Sequence, residues 1–251
     1  MKVSIITVCY NSAATIGDAI QSVVSQNHPD IEHIIIDGGS GDDTLKIINQ
    51  YKNNIAHLVS EPDKGIYDAM NKGIALASGE IVGILNSDDL YADENVVRDV
   101  IALFQKENCE GVYADLVYVD RENTSKINRY WKAGTYKKGA FRKGWMPPHP
   151  TFFVKRSVYG RLGNFTTALK SAADYEIMLR FIHKHEISLV YLPRVIVRMR
   201  AGGKSNVSLR NRIRANREDK QAWVMNGLRP GLFTLIRKPL SKVFQFIKKG
   251  R

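Results

Sequence analysis

The segment S-I-I-T-V-C-Y-N-S, residues 4–12, begins the pattern that decides the fold. The apolar run that contains it, Val3–Tyr10, is short, continuous and rich in β-branched residues, which is typical of a strand buried on both faces. From Ser12 to Gln26 the apolar residues instead recur every three or four positions, which predicts an amphipathic helix. A buried strand followed directly by a helix is the start of a βαβ unit, in which a helical crossover joins two parallel strands.

The same alternation continues to about residue 120. It predicts further strands and helices, with strands at 31–37, 56–60, 79–86 and 111–120 and helices at 42–53, 65–77 and 95–106. This order predicts an α/β protein with a single doubly wound, mostly parallel sheet.

The second part of the chain follows a different pattern, and residues 126–144 mix aromatic, basic and glycine residues without a clear period. A strand, a helix and two further strands are predicted after it, at 151–154, 172–185, 187–192 and 194–200. No clean linker separates the two parts. We therefore expect one domain at 1–205, with halves at 1–120 and 121–205, and a basic helical C-terminal extension at 206–251.

Bulk composition excludes several classes of protein. With 251 residues, of which 44% are hydrophobic and 25% charged, the chain has the composition of a globular protein rather than a disordered one. Its two cysteines provide no disulfide framework, and we expect both to be reduced, as in the cytoplasm. The N-terminal apolar run is too short for a signal peptide, and no run approaches the roughly 20 apolar residues that span a bilayer. We therefore expect neither secretion nor a membrane span.

The net charge is +12, and much of the excess lies near the C-terminus, where residues 228–251 contain seven Lys or Arg and no acid. An apolar stripe runs through the same segment, formed by Phe233, Ile236, Leu240, Val243 and Ile247. A basic amphipathic segment is typical of attachment to an anionic membrane surface. We therefore expect a cytoplasmic protein that is peripheral at the inner face of the cell membrane. Docking of this segment on the domain itself is the alternative.

Acidic residues follow three predicted strands, with Asp37 after the second, Glu61 and Asp63 after the third, and Asp88 and Asp89 after the fourth. In an open parallel sheet the ligand binds at the carboxyl ends of the strands, so these residues are expected at one edge. Neither a G-x-G-x-x-G nor a G-x-x-x-x-G-K-[ST] motif is present. Adjacent carboxylates instead suit a hard divalent cation that bridges a substrate diphosphate. Each acid taken alone is equally compatible with a turn or a helix cap.

Four segments together resemble family 2 glycosyltransferases: S-I-I-T-V-C-Y-N-S, I-I-I-D-G-G-S-G-D-D-T, G-I-Y-D-A-M-N-K-G-I-A-L-A-S-G-E-I and I-L-N-S-D-D. The resemblance is greatest to the enzymes that build bacterial capsule, O-antigen and exopolysaccharide, including the colanic-acid type. It implies a GT-A fold, a nucleotide-diphosphate sugar donor, Mn2+ or Mg2+ as cofactor, and inversion at the anomeric carbon.

The resemblance also implies roles for individual residues on the donor side. It implies that Thr7, Val8 and Tyr10 line the nucleobase and ribose pocket and that Asp37 forms a hydrogen bond to the base. It also implies that Asp88 contacts the ribose or a metal-bound water, and that Asp89 binds the metal with Asp88 as a second ligand. This chain departs from many relatives at Gly38, where they have Asp, and at Asn86, where they also have Asp. These departures bear on the identity of the base and on the ligands of the metal.

The segment E-P-D-K-G-I-Y-D-A-M-N-K-G, residues 61–73, is expected to contribute to the same pocket. Its helical period predicts a buried stripe that consists of Ile66, Met70, Ile74 and Ala77. Gly65 would let the backbone approach a ligand closely, and the helix start offers N–H donors. We expect Asp68 and Asn71 in the donor pocket, with Lys72 as a secondary candidate.

The acceptor side is expected in the second half of the chain. The segment S-A-A-D-Y-E-I-M-L-R-F, residues 171–181, resembles the family's acceptor-side motif, which implies that Asp174 is the general base. A helix N-cap is the structural alternative for Asp174, and Glu176 is expected to be a structural residue or an acceptor contact. His149 is a candidate for the diphosphate or metal, or else packs on Phe152.

Two further groups are weaker candidates. Trp131, Tyr136 and Trp145 would either stack on sugars or anchor the core. The segment R-A-G-G-K-S, residues 200–205, would bring Arg200 or Lys204 over the diphosphate.

The sequence therefore predicts a hexosyl or related glycosyltransferase. It would move a sugar to a hydroxyl of a growing surface-polysaccharide glycan, which we expect to be lipid-linked. The alternatives are a sugar nucleotidyltransferase and a basic nucleic-acid-binding protein. Acids at three strand ends would repel nucleic acid phosphates, so we expect no nucleic acid partner.

Overall fold

The computed structural model of this chain describes residues 1–202 and 209–231. Lys204 and the apolar stripe of the C-terminal segment lie outside these residues, so the expectations for them stay predictions.

One sheet of nine strands forms the centre of the protein. The strands are β1 (Val3–Cys9), β2 (Ile31–Asp37), β3 (His57–Ser60), β4 (Ile81–Ile84), β5 (Asp89–Tyr91), β6 (Gly111–Val119), β7 (Ile127–Trp131), β8 (Phe153–Lys155) and β9 (Leu189–Arg200). Their order is β3-β2-β1-β4-β8-β6-β9-β5, with β7 paired to β6. The α/β fold with a single central sheet is thereby confirmed.

The sheet is parallel in its first half and mixed in its second. Strands β3, β2, β1 and β4 run parallel, as do β6 and β9, whereas β8 is antiparallel to β4 and β6, β7 to β6, and β5 to β9. The strands β5 and β7 were not predicted, because β5 has only three residues directly after a polar turn and β7 lies in the segment 126–144, which shows no clear period.

Seven α-helices accompany the sheet in the described residues: α1 (Ile16–Val24), α2 (Thr44–Asn49), α3 (Ile66–Leu76), α4 (Val96–Glu107), α5 (Arg156–Leu162), α6 (Ala173–Met178) and α7 (Leu209–Met225). Alternate residues of β1 contact different layers of helices. Ile6 and Val8 pack in the same core as Met70 of α3, whereas Ile5 packs with Phe104 of α4. The sheet is therefore covered on both faces, as the continuous apolar pattern of β1 predicts.

Two predicted elements of the second half differ in detail. The two strands predicted around Pro193 form the single strand β9, and the register with β6 shifts where Ala114 pairs with Leu192 and Asp115 with Val195. Proline has no N–H to donate to a neighbouring strand, so a bulge is where a strand can contain it. The helix predicted at 172–185 is α-helical only as α6 and continues as a π-helical turn over Leu179–Lys184.

Helix α7, which lies within the predicted C-terminal extension, packs against α6. Trp223 is fully buried, and its indole N–H donates a 2.9 Å hydrogen bond to the hydroxyl of Tyr175. Asn226, just after α7, donates to Glu176 Oε1 at 2.9 Å. The domain boundary near residue 205 stays a prediction, but residues on both sides of it share one core. No helix in the described part of the chain has the length and apolar character that a bilayer crossing requires.

Candidate active site

The loops that follow β1 and β2 are joined by hydrogen bonds into one rim. The backbone N–H of Asn11 donates to Ser40 Oγ at 2.8 Å, and that of Gly41 donates to Asn11 Oδ1 at 2.9 Å. Asn11 has a φ of 49°, in the left-handed region that asparagine tolerates better than most residues. These contacts hold the polar ends of two neighbouring strands in a fixed relation.

Asp37, at the end of β2, is fully buried and organises this rim. Its carboxylate accepts hydrogen bonds from the N–H groups of Gly39 and Ser40, at 3.2 and 3.0 Å, and from the hydroxyls of Ser40 and Ser60. Burial opposes ionisation, but these hydrogen bonds outweigh it and lower the pKa of Asp37. Its carboxylate has no exposed surface in this arrangement, so the predicted hydrogen bond to a base would need the loop to open.

Two of the three residues expected to line the nucleobase pocket lie inside the core. Thr7 is fully buried with its Oγ1 3.0 Å from His33 Nε2, and the side chain of Val8 is also buried. Neither side chain presents surface to a ligand, so only their backbone could serve the predicted role. Tyr10, by contrast, is 53% exposed and lies beside Gly38 at the rim. Of these three side chains, that of Tyr10 is therefore the one with exposed surface at the rim.

The loop between β3 and α3 is fastened by its own charged residues. Asp68 Oδ2 accepts the N–H of Lys64 at 3.0 Å, and Lys72 forms a 2.7 Å ion pair with Glu61. Gly65 has a φ of 115°, which strongly favours glycine, and precedes the first residue of α3. In this structure Asp68 and Lys72 thus stabilise the loop, and their contact with a donor stays a prediction.

Helix α3 differs from the prediction at two positions. Ile66 is 45% exposed, so its expected burial is wrong; it is the first residue of α3. The amide of Asn71 donates to the carbonyl of Phe165 at 2.8 Å and accepts its N–H at 3.0 Å. Both polar atoms of Asn71 are therefore engaged in joining the two halves of the chain rather than free for a donor.

Asp88 and Asp89 lie between β4 and β5, and their environments differ. Asp88 is half-buried, whereas Asp89 is fully buried and accepts one hydrogen bond, from the amide of Asn86 at 3.1 Å. Burial raises the pKa of Asp89, and the negative charge of Asp88 raises it further. The other carboxylate oxygen, Asp89 Oδ1, and the buried Oδ1 of Asn86 have no hydrogen-bond partner among the described residues.

Two buried oxygens without donors are what a hard cation would complete, so these residues fit Mn2+ or Mg2+. Within residues 1–202 and 209–231, no group of three or more His, Cys, Asp or Glu is placed to hold a metal. A cation bound by Asp88 and Asp89 would therefore need ligands from the substrate, as magnesium in phosphate sites commonly does.

Arg200, at the end of β9, fixes the main chain of this acidic pair. Its buried guanidinium donates to the carbonyls of Asp88 and Arg121, both at 3.1 Å, and forms an ion pair with Asp18. The expectation that Arg200 is a loop charge over the diphosphate is not supported, because its guanidinium nitrogens are engaged within the protein. Its role here is to connect β9, α1 and the turn before β5.

Asp174 belongs to the first turn of α6 and is half-buried. The N-cap of this helix is Ala172, so capping is not the role of the Asp174 side chain. Asp174 Oδ1 accepts the N–H of Tyr175 at 2.8 Å and the hydroxyl of Tyr67 at 3.3 Å. The described residues provide no hydrogen bond to Oδ2.

Tyr118 of β6 relates Asp174 to the acidic pair. Burial raises the pKa of Tyr118, the nearby Arg129 lowers it, and the carboxylates of Asp89 and Asp174 both raise it. The guanidinium of Arg129 lies 3.7 Å from the centre of the Tyr118 ring. Asp89 and Asp174, 85 residues apart in sequence, thus both disfavour ionisation of this phenol.

The remaining candidates on the acceptor side lie in packed surroundings. His149 is buried and packs edge-on against Phe165, with 5.5 Å between ring centres, rather than on Phe152 as the alternative prediction had it. Glu176 is buried and bonded by both oxygens to Arg180, at 3.0 Å each, so it is a structural residue. Trp145 lies in an aromatic cluster, and its N–H donates to the carbonyl of Ala133 at 2.8 Å.

Sequence reasoning did not single out Tyr67, Tyr118 or Asp63 as site residues. Tyr67 and Tyr118 each have the apolar neighbours of a core residue, and nothing in the local pattern reveals that a carboxylate lies near each ring. Asp63 was recognised only as one acid at the end of a strand.

Comparisons with known proteins agree with this architecture. The family model described as Glycosyl transferase family 2 matches residues 4–163. An uncharacterized glycosyltransferase of Mycobacterium tuberculosis is 32% identical over 180 residues, which cover 71% of this chain and 68% of that protein. A PGL/p-HBAD biosynthesis glycosyltransferase of Mycobacterium bovis is 28% identical over 208 residues, covering 81% of this chain and 78% of the relative.

Two solved structures share the fold at low sequence identity. S. aureus TarS 1-349 in complex with UDP-GlcNAc has a TM-score of 0.69 and 17% identity, over 90% of this chain and 65% of that chain. The mannosyltransferase PcManGT from Pyrobaculum calidifontis, in complex with GDP-Man and Mn2+, has a TM-score of 0.67 and 21% identity. That comparison covers 99% of this chain and 70% of the other.

Proposed function

Since this chain belongs to glycosyl transferase family 2, we propose that it moves one sugar from a nucleoside diphosphate sugar to a hydroxyl of a growing surface-polysaccharide glycan. The family match favours this reading over a sugar nucleotidyltransferase or a nucleic-acid-binding protein. Relatives named as PGL/p-HBAD biosynthesis glycosyltransferases, and solved neighbours in complex with UDP-GlcNAc or GDP-Man, support a nucleotide-sugar donor.

The observation that carries the proposal is the pair of buried oxygens without hydrogen-bond partners among the described residues, Asp89 Oδ1 and Asn86 Oδ1, which suit a cation that would hold a donor diphosphate. A further carboxylate, Asp174, lies in the first turn of α6. A transfer reaction needs a site for the leaving diphosphate and, across the sugar from it, a base for the attacking hydroxyl. We assign the first of these functions to Asp88 and Asp89 and the second to Asp174.

Asp174 is proposed as the base. Its Oδ2 would accept the proton of the acceptor hydroxyl as that oxygen attacks the anomeric carbon, while the bond to the diphosphate breaks on the opposite face. The sugar is then transferred with inversion. The hydroxyl of Tyr67 holds the carboxylate in place through Oδ1 and leaves Oδ2 for the substrate.

The donor diphosphate is proposed to lie at Asp88 and Asp89. A divalent cation, Mn2+ or Mg2+, held by these two carboxylates would supply positive charge to the departing diphosphate. The unpartnered oxygens of Asp89 and Asn86 support this assignment. The rim formed by Asn11, Asp37 and Ser40 would bound the nucleoside side of the cleft.

An anionic, lipid-linked acceptor is supported by the charge of the segment that follows β6. Residues 121–143 contain many basic side chains and a single acid, Glu122; the basic residues are Arg121, Lys126, Arg129, Lys132, Lys137, Lys138, Arg142 and Lys143. Ile127, at the start of β7, is 61% exposed among them. Exposed basic and apolar residues together suit an anionic membrane surface, which agrees with the proposed peripheral position at the inner face of the cell membrane.

The proposal is tested by incubating the purified chain with a panel of nucleotide sugars and following donor hydrolysis by chromatography. We expect one donor, or a small group of donors, to be consumed in the presence of Mn2+ or Mg2+ and preserved in excess chelator. The configuration of the released sugar, read by NMR at early times, should be inverted. Failure of every donor to bind and react would contradict the proposed function, and a retained configuration would contradict the mechanism.

A further inference from the structure

The loop after β3 carries a carboxylate, Asp63, that the mechanism above does not use. Asp63 is half-buried, and its Oδ1 accepts the N–H of Gly65 at 2.7 Å. No hydrogen bond to its other oxygen, Oδ2, is formed by the described residues. Asp63 therefore presents one occupied and one free carboxylate oxygen at the donor edge of the sheet.

The position of the free oxygen is set by Gly38. A Cβ atom added at Gly38 would lie 2.4 Å from Asp63 Oδ2 and 3.5 Å from Cδ2 of Tyr10. Asp63 Oδ2 thus occupies the space that any side chain at position 38 would need, and the exposed ring of Tyr10 borders the same space. Gly38, the acceptor oxygen of Asp63 and the aromatic ring of Tyr10 therefore lie close together at the rim.

We propose that Asp63 is the residue that reads the nucleobase of the donor, with Oδ2 accepting an N–H of the base while the base lies against Tyr10. This inference rests on the proposed function. Asp37 is the acid that the resemblance implied for this role, but its carboxylate is buried and saturated by Ser40, Ser60 and backbone donors. Asp63 is the neighbouring acid, and its Oδ2 accepts no hydrogen bond from the described residues.

The hydrogen-bond inventory of Asp63 also selects the class of base. An ionised carboxylate only accepts, and here one oxygen is already used by Gly65. One free acceptor matches the single N3–H of uracil or thymine. Guanine presents two adjacent donors, which match a carboxylate with both oxygens free, and cytosine presents an unprotonated N3 that a carboxylate repels. Among uracil or thymine, guanine and cytosine, the site therefore favours uracil or thymine, and hence uridine or thymidine diphosphate sugars.

The substitution Asp63→Asn tests this assignment by reversing one hydrogen bond. The amide oxygen can still accept the N–H of Gly65, which keeps the turn, and the amide NH2 then takes the place of Oδ2. That group repels the N3–H of uracil but donates to N3 of cytosine. Loss of a hydrogen bond to a charged group corresponds to about a 10- to 100-fold change in dissociation constant. We expect UDP to bind that much more weakly and CDP to bind more tightly than it does to the unsubstituted protein.

Binding of UDP, CDP and GDP is measured by titration calorimetry on the full chain with Mn2+ present throughout. Asp43→Asn is the matched control, because it removes the same charge at the exposed N-cap of α2, outside the proposed pocket. Gly38→Ala is the second variant, and its methyl group should displace Asp63 Oδ2 without backbone strain. It should weaken UDP without creating a preference for CDP.

The possible results separate the two proposals. If the preference between UDP and CDP is reversed in Asp63→Asn but not in Asp43→Asn or Gly38→Ala, the result supports recognition of the base by Asp63. An equal loss for all three nucleotides, or no loss, would mean that Asp63 only shapes the loop, and a preference of the unsubstituted protein for GDP would overturn the choice of base. If the unsubstituted protein binds none of the nucleotides, the proposed function fails and this inference fails with it.

Discussion

Replacing Asp174 with asparagine is expected to lower the turnover number by about 10²- to 10⁴-fold, which is the usual contribution of a general base. The range corresponds to about 2.7 to 5.4 kcal/mol of activation free energy. Asparagine keeps an oxygen that can accept the N–H of Tyr175 and the hydroxyl of Tyr67, so the local structure should persist. It removes only the capacity to take a proton.

A second substitution separates the base from the group that orients it. Tyr67 donates a 3.3 Å hydrogen bond to Asp174 Oδ1, and a bond of this length to a carboxylate should lie at the weak end of the range for charged acceptors, about 1.5 kcal/mol. Tyr67→Phe retains the ring that stacks on Phe165 and should lower turnover by only about 10-fold. The two variants should therefore differ in turnover by at least one order of magnitude.

The assay is single-turnover transfer at saturating donor, with the affinity for the nucleoside diphosphate measured separately. Donor affinity should remain within about twofold of that of the unsubstituted protein in both variants, since neither side chain is assigned to the donor. Near-normal transfer by Asp174→Asn would refute the role of base. The other acid of the helix, Glu176, is no substitute, because Arg180 and Asn226 bind its carboxylate.

Three further results are expected. Asp89→Asn should weaken the Mn2+-dependent binding of UDP at least tenfold while leaving the metal-free affinity unchanged; equal affinities with and without metal in the unsubstituted protein would contradict the metal assignment. The intact chain should sediment with anionic liposomes more strongly than a chain ending at Gly227, and equal binding would argue against a membrane-binding tail. Burial lowers the pKa of His33 from 6.5 to about 4, and hydrogen bonds to the Glu32 carboxylate outweigh burial and lower its pKa from 4.5 to about 2. Both groups bind more protons in the unfolded state than in the folded state, so the free energy of unfolding should fall as the pH is lowered. The expected loss is about 3 kcal/mol for His33 as the pH falls from 6.5 to 4, and a similar amount for Glu32 as it falls from 4.5 to 2. A urea unfolding free energy that is constant from pH 7 to 4 would contradict the first of these effects.

The first half of the fold could be predicted from sequence because β1, β2, α1, α3 and α4 have clear periods and the shorter elements alternate with them along the chain. The segment I-E-H-I-I-I-D was predicted as a strand at 31–37, and β2 is Ile31–Asp37. Such strands are buried on both faces, so every position must be apolar or internally bonded, and the pattern is continuous. The placement of Asp37, Asp63 and Asp89 at one edge then followed from the parallel order.

The state of each acid at that edge could not be predicted in the same way. Asp37, Asp63 and Asp89 occupy similar positions at the ends of strands. Yet both oxygens of Asp37 accept hydrogen bonds, Asp63 accepts one through Oδ1, and Asp89 is buried with Oδ1 unpartnered among the described residues. These differences arise from residues 2 to 23 positions away, including Gly65 and Ser60, whose conformation depends on the closed loops. Sequence pattern indicates which residues reach an edge, and packing decides which of their atoms remain available.

The acceptor side depends on still longer connections. The family model ends at residue 163, whereas the proposed base lies at Asp174 and its helix is locked by α7. Trp223 bonds to Tyr175 and Asn226 bonds to Glu176, so the two residues that follow Asp174 are both held by a segment about 50 residues further along the chain. The donor side is thus built from the part of the chain that the family model covers. The orientation of the proposed base is set by α6 and α7, which lie beyond residue 163. Relatives can therefore differ in acceptor through these helices without change to the nucleotide site.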